Sequence, residues 1–128
     1  GAGTTIDRGA LKNTVIEDGV KIDNQVQIGH GARVGAHTVI SGCTAIAGST
    51  TIGKYCMIGG AVGIIDNIRI VDQVQITAMT LVSKSIDHPG RYSSGTGLME
   101  SGLWKRNAAV FRRLERVYRQ VRNKASNG

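Results

Sequence analysis

Ile or Val stands at every sixth position from Ile16 to Val82, twelve times without a slip in register. Two residues before each, from Val20 onward, comes a small or β-branched side chain: Val20, Val26, Ala32, Thr38, Thr44, Thr50 and so on to Thr80. On a strand, residues two apart face the same way, so both members of each pair point to one interior. Between the pairs lies turn material, such as Asp23-Asn24, Gly29-His30-Gly31, Ser41-Gly42, Gly59-Gly60 and Asp66-Asn67. A helix cannot hold this period on one face, because six residues turn it through about 600°, roughly 120° short of two turns. The repeating unit is therefore a short strand and a corner. One unit buries almost nothing, so the units must stack into a solenoid with a continuous core.

Composition agrees with that reading. The 128 residues include 18 Gly but one Trp and one Phe, a poor supply for an ordinary globular core and a good one for turns. No apolar run reaches the roughly 20 residues of a membrane span, and no charged-then-apolar leader opens the chain. Cys43 and Cys56 have neither CxxC spacing nor disulfide-rich surroundings, which points to free thiols, a reducing compartment and a cytoplasmic protein.

Charge changes the picture at one end only. Residues 1 to 102 hold eight basic and eight acidic side chains, whereas residues 103 to 128 hold eight basic ones against Glu115 alone. The whole net charge of +7 thus sits in the tail and predicts an anionic partner there. The repeat divides the chain into a solenoid over residues 1–87, a Gly/Ser-rich linker over 88–102 and a basic amphipathic helix over 103–125. In the helix Val110, Leu114, Val117 and Val121 form a narrow seam of coiled-coil type, with Ser101 as the expected N-cap and Ser126-Asn127-Gly128 as the end.

The Ile/Val-Gly-x-x-small-x hexapeptide resembles the left-handed parallel β-helix of the hexapeptide acyltransferases, in which three hexapeptides make one triangular coil of 18 residues. More specific words stand beside it: "TTIDRGAL" (4 to 11), "IDNQVQIGH" (22 to 30), "GKYCMIGG" (53 to 60) and "PGRYSSGTGL" (89 to 98). Together these resemble the UDP-3-O-(3-hydroxyacyl)glucosamine N-acyltransferases of lipid A biosynthesis. The resemblance implies an all-β solenoid with a C-terminal α-helix, assembled as a homotrimer with active sites in clefts between neighbouring β-helices. It implies transfer of a 3-hydroxyacyl group to the 2-amine of a UDP-aminosugar. The donor would be carried on the phosphopantetheine of acyl carrier protein, with no bound cofactor.

The same resemblance makes His30 the general base, since an amine attacking a thioester must lose a proton and imidazole, with a reference pKa of about 6.5, suits that task. Asp23 would orient the ring, and Gly48 would offer its N–H to the tetrahedral oxyanion. Asn24, Gln27 and Asn67 are the expected substrate-binding positions, and Arg112, Arg113 and Arg116 the expected carrier dock. With 18 residues per coil, Lys12, His30, Gly48 and Asp66 fall in one corner column. Family members often carry a second histidine where this chain has Asn67, which hydrogen-bonds but does not titrate. They also carry an N-terminal domain and earlier coils, so the chain reads as a C-terminal portion. Met79-Thr80-Leu81 is a candidate floor for the acyl groove.

Two rival readings remain at this point. One is another hexapeptide acyltransferase, acting on a hydroxyl or using coenzyme A. The other is a non-catalytic solenoid whose basic tail binds nucleic acid, against which the sparse aromatics and neutral solenoid argue. A three-histidine zinc site is disfavoured, because the spacing of His30 and His37 does not resemble that ligand pattern.

Overall fold

A computed structural model describes residues 1–127. Among these residues fourteen short strands precede a single helix, α1 (Ser101–Asn127): β1 (Thr5–Ile6), β2 (Val15–Ile16), β3 (Lys21–Ile22), β4 (Gln27–Ile28), β5 (Arg33–Val34), β6 (Val39–Ile40), β7 (Ala45–Ile46), β8 (Thr51–Ile52), β9 (Met57–Ile58), β10 (Gly63–Ile64), β11 (Arg69–Ile70), β12 (Val74–Ile76), β13 (Leu81–Val82) and β14 (Gly90–Tyr92). Contacts divide the chain into two compact units, Gly1–Gly95 and the segment from Thr96 onward.

The first unit is a parallel β-solenoid of three sheets, in the orders β1-β4-β7-β10-β13, β2-β5-β8-β11 and β3-β6-β9-β12-β14. Each side of a coil takes six residues, so every third strand pairs and the partners are 18 apart: Gln27 with Ala45, Arg33 with Thr51, Val39 with Met57. This is the hexapeptide-repeat coil, consistent with its left-handed form. Two coils depart from 18. Thr5 pairs with Gln27, four residues longer, and the extra chain leaves Leu11 fully exposed. Val74 pairs with Gly90, two residues shorter. Residues 90–92, read from the sequence as linker, therefore form a strand, because the shortened coil breaks the sixfold count without ending the stack.

Both members of each pair turn inward. Ile28, Val34, Ile40 and their successors through Val82 are buried, as are Val26, Ala32, Thr38, Thr44 and Thr50. The buried hydroxyls are satisfied by the stack: Thr38, Thr44 and Thr50 donate to the carbonyls of Gly53, Gly59 and Ile65, each 15 residues on. Cys56 takes the same place one coil above Thr38, and its Sγ lies 3.3 Å from the Val71 carbonyl, again 15 residues on. Burial pushes this thiol up, away from the reactive thiolate. Cys43 is exposed. A disulfide-exchange reagent should therefore titrate one thiol per native chain, with the second appearing only in denaturant; two fast thiols would contradict this packing.

The corners share one conformation. Gln25, His37, Cys43, Ser49, Tyr55, Ala61, Asn67, Gln73 and Met79 all adopt positive φ, between 53° and 62°, and Gly19 and Gly31 complete the sixfold series. Such a conformation costs a side-chain-bearing residue roughly 1–2 kcal/mol. It is held because the third corner residue donates its N–H to the coil before it, as Ser49 does to His30 O (2.9 Å), Asn67 to Gly48 O (3.2 Å) and Tyr55 to Ala36 O (3.0 Å). The hydrogen bond depends on backbone position alone, so the side chain is free to vary.

Within the second unit, α1 begins earlier than its seam. Glu100, not Ser101, caps it: the Glu100 carboxylate accepts from the N–H groups of Gly102 (2.9 Å) and Leu103 (3.2 Å). Those bonds hold the Glu100 carboxyl below the usual carboxylate range. No residue of α1 is buried, and the expected end at Gly128 lies outside the described residues.

Candidate active site

Strand β4 (Gln27–Ile28) runs into the corner Gly29-His30-Gly31. The inward side of this stretch is filled by Val26, Ile28 and Ala32, all buried, so His30 points outward and is exposed. One coil on, the same corner is Ala47-Gly48-Ser49. A Cβ placed on Gly48 would lie 2.9 Å from His30 Nε2 and 3.0 Å from the His30 carbonyl oxygen. The imidazole thus occupies the space that a side chain at Gly48 would need. Gly29, which the sequence reading passes over, is required for the same reason, since its Cβ would stand 2.6 Å from the Gly48 nitrogen. Its signal was the same 18-residue count applied to the residue before the histidine.

The second corner residue directs its N–H out of the stack. At some corners a carboxylate accepts it: Ala36 N–H donates to Glu17 Oε1 (3.1 Å) and Lys54 N–H to Asp72 Oδ1 (2.8 Å), whereas the N–H groups of Gly42 and Gly60 bond nothing among the described residues. None of the hydrogen bonds among the described residues uses the Gly48 N–H. What sets Gly48 apart is that its open donor stands beside an imidazole, an arrangement able to take a proton and stabilise a developing negative oxygen.

Asn67 belongs to the same corner one coil further, with its N–H on Gly48 O and its side-chain Nδ2 donating to Asp66 Oδ2 (3.2 Å). His30, Gly48 and Asn67 thus lie on three successive coils of one corner, with Gly48 next to each of the other two. Asp23 does not join them within one chain. It stands at the preceding corner, where Oδ1 accepts the Asn24 N–H (2.7 Å), and Asn24 Oδ1 in turn accepts the Ala2 N–H (2.8 Å). Gln27 is exposed on the strand joining the two corners, opposite Ala45. His37 lies at the third corner, stacked on Tyr55 with ring centroids 5.0 Å apart, away from His30. Met79 and Leu81 are exposed. Arg112, Arg113 and Arg116 lie on α1, exposed and in the second unit.

Residues 13–48 match the family of the bacterial transferase hexapeptide (six repeats). The fold is thus a β-solenoid of hexapeptide repeats, and over those residues it is similar to the repeats of bacterial transferases. The chain's relatives are more particular. It is 76% identical over 115 residues to the UDP-3-O-acylglucosamine N-acyltransferase of Cellvibrio japonicus (strain Ueda107), covering 90% of this chain and 34% of that one. The protein of the same name from Hahella chejuensis (strain KCTC 2396) is 57% identical over 122 residues, 95% of this chain and 35% of that one. The chain spans about a third of the length of the curated relatives it matches. A serine acetyltransferase isoform 3 from Entamoeba histolytica, solved with cysteine, aligns with 72% of this chain and 40% of that one at 22% identity, with a TM-score of 0.32, too slight a likeness to carry an argument.

Proposed function

We propose that this chain is the catalytic and carrier-docking portion of an N-acyltransferase that moves a 3-hydroxyacyl group from acyl carrier protein to the 2-amine of UDP-3-O-acylglucosamine, in lipid A biosynthesis in the cytoplasm. The observation that carries this reading is the open Gly48 N–H beside the His30 ring. The names of the relatives supply the acceptor sugar and the bond formed.

In this mechanism the amine attacks the thioester carbonyl as His30 takes its proton. The carbonyl oxygen becomes an oxyanion and receives the Gly48 N–H. Collapse of the tetrahedral adduct breaks the C–S bond, and the imidazolium returns the proton to the departing thiolate of the phosphopantetheine, leaving an amide and a thiol. Asn67, on the same corner, is positioned to hydrogen-bond the bound acceptor, with Asn24 and Gln27 as further substrate contacts. Asp23 orients His30 only if a neighbouring copy supplies it, because the two lie at different corners of one chain. In this reading a homotrimer with its clefts between β-helices brings that second copy to the site.

A chimera tests the reading: this chain replaces the corresponding segment of the Cellvibrio japonicus relative, and transfer from 3-hydroxyacyl carrier protein is followed on sugars with and without a free 2-amine. Amide formation that requires the amine is expected. Ester formation, or transfer from coenzyme A in preference to the carrier, would assign a different hexapeptide activity. In the same chimera, changing Arg112, Arg113 and Arg116 to Glu should raise the KM for carrier protein several-fold while nucleotide-sugar binding stays nearly constant, because opposite charges steer association. Added salt should imitate the change on the unmodified chimera. A KM indifferent to both would leave these arginines as a solvated face.

A further inference from the structure

We propose that Lys12 holds the diphosphate of the nucleotide-sugar acceptor, in a recess beside the His30 corner; the inference rests on the acceptor read above. The coil before His30 is four residues longer than the repeat, and the extra chain falls between Ile6 and Val15, at the corner that carries His30. Its base is tied to that corner. Thr14 Oγ1 donates to the Asp7 carbonyl (2.7 Å) and accepts the N–H of Gly31, the residue after His30 (2.9 Å). Within the excursion the chain doubles back, since a Cβ on Gly9 would run into the Lys12 carbonyl. Lys12 Cβ in turn stands 3.8 Å from where a Cβ on Gly31 would be, so its side chain starts beside the reacting corner. A recess of about 360 Å³ opens there, with Lys12, Asn13, Arg33, Ser49 and Thr51 in its wall and no carboxylate. Arg33 is partly neutralised by Glu17 at 3.3 Å, whereas Lys12 forms no ion pair among the described residues. A wall of ammonium, guanidinium, amide and hydroxyl groups suits phosphate oxygens.

The covalent structure of the acceptor brings its phosphates to this place. The amine is on C2 of the sugar and the diphosphate on the neighbouring C1, with one oxygen between that carbon and the first phosphorus. An amine about 3 Å from His30 Nε2, as proton transfer requires, therefore carries the diphosphate to the same corner. Charge then selects a direction along the column. Beyond Gly48, whose N–H serves the thioester carbonyl, stands Asp66, and a carboxylate repels phosphate. Before His30 stand Arg8 and Lys12, both exposed, and of the two only Lys12 lines the recess. The column Lys12, His30, Gly48, Asp66 runs from cation to anion, and it orients the acceptor with its phosphates toward Lys12 and its amine toward Gly48.

Binding of UDP-3-O-acylglucosamine to the chimera, measured by calorimetry without carrier protein, tests the recess apart from acyl transfer. Lys12→Ala should weaken binding by about tenfold or more, the scale of one hydrogen bond to a charged group. Lys12→Glu should weaken it further, and Lys12→Arg should restore most of it. Lys54→Ala, which removes the same charge from an exposed position at another corner, should change nothing. Inorganic diphosphate should compete with the sugar nucleotide on the parent and lose this ability in Lys12→Ala. In turnover, the loss should fall on the KM for the nucleotide sugar and spare the KM for carrier protein. Equal affinity of Lys12→Ala and the parent, an equal loss in Lys54→Ala, or a Lys12→Arg variant as weak as Lys12→Glu would overturn the inference. Amide formation by the parent alongside any of these would leave the acyltransferase reading standing. Lys12-dependent binding in a chimera that forms no amide would do the reverse, keeping the subsite and ending that reading.

Discussion

In the chimera, His30→Ala is expected to lower kcat by about 100-fold or more, with little change in thermal unfolding. The chemical half of this expectation follows from the loss of general-base catalysis, which contributes typically 10²–10⁴-fold. The structural half follows from the corner: His30 is exposed, its side chain fills no part of the core, and the Ser49 N–H bonds the His30 backbone carbonyl rather than the ring. Removing the imidazole therefore spares the stack. Alanine also leaves Gly48 and its N–H in place, so the residual rate measures what oxyanion stabilisation and binding achieve without the base. A variant with near-normal kcat would remove His30 from the mechanism; one that unfolded early would show the ring to be structural after all.

The solenoid was legible because its signal is redundant. Twelve aliphatic residues at one spacing, eleven of them with a small or β-branched partner two residues earlier, leave a single assignment of inside and outside, and Ile28 through Val82 obey it. The meeting of His30 and Gly48 was legible from the same count, since residues 18 apart stack. What stayed hidden depends on backbone hydrogen bonds that place no demand on side-chain identity. Gln25, Tyr55 and Met79 are poor candidates for positive φ, yet each is held there by an N–H to the previous coil. The strand at Gly90–Tyr92 escaped because one coil is two residues short. Glu100 escaped because a flexible carboxylate, not the neighbouring serine, reaches the first turn. The separation of Asp23 from His30 is arithmetic in hindsight: seven residues exceed one six-residue side, so the pair cannot share a corner.

That same arithmetic makes Gly48→Ala the sharper probe of the site, and kcat is expected to fall by about tenfold or more while the KM for carrier protein changes little. Gly48 is not among the positive-φ residues, so alanine brings no backbone strain of its own. Its Cβ would instead arrive 2.9 Å from His30 Nε2 and 3.1 Å from Cε1, so the ring must swing aside, while the His30 carbonyl oxygen at 3.0 Å has to yield only by a few tenths of an ångström. The N–H survives the substitution; what is lost is an imidazole held beside it, and displacement of a reacting group by about 1 Å can cost as much as 100-fold. Gly60 is the matched control, the second residue of another corner, where a Cβ meets only the Gly42 carbonyl oxygen at 3.5 Å; Gly60→Ala should be nearly silent. The two site substitutions should also fail to add. With no ring left to displace, Gly48→Ala in the His30→Ala background should cost far less than in the parent, because both changes remove one unit. Full additivity would mean that Gly48 and His30 act separately, and an unchanged kcat in Gly48→Ala alone would end the assignment of this corner as the reacting centre.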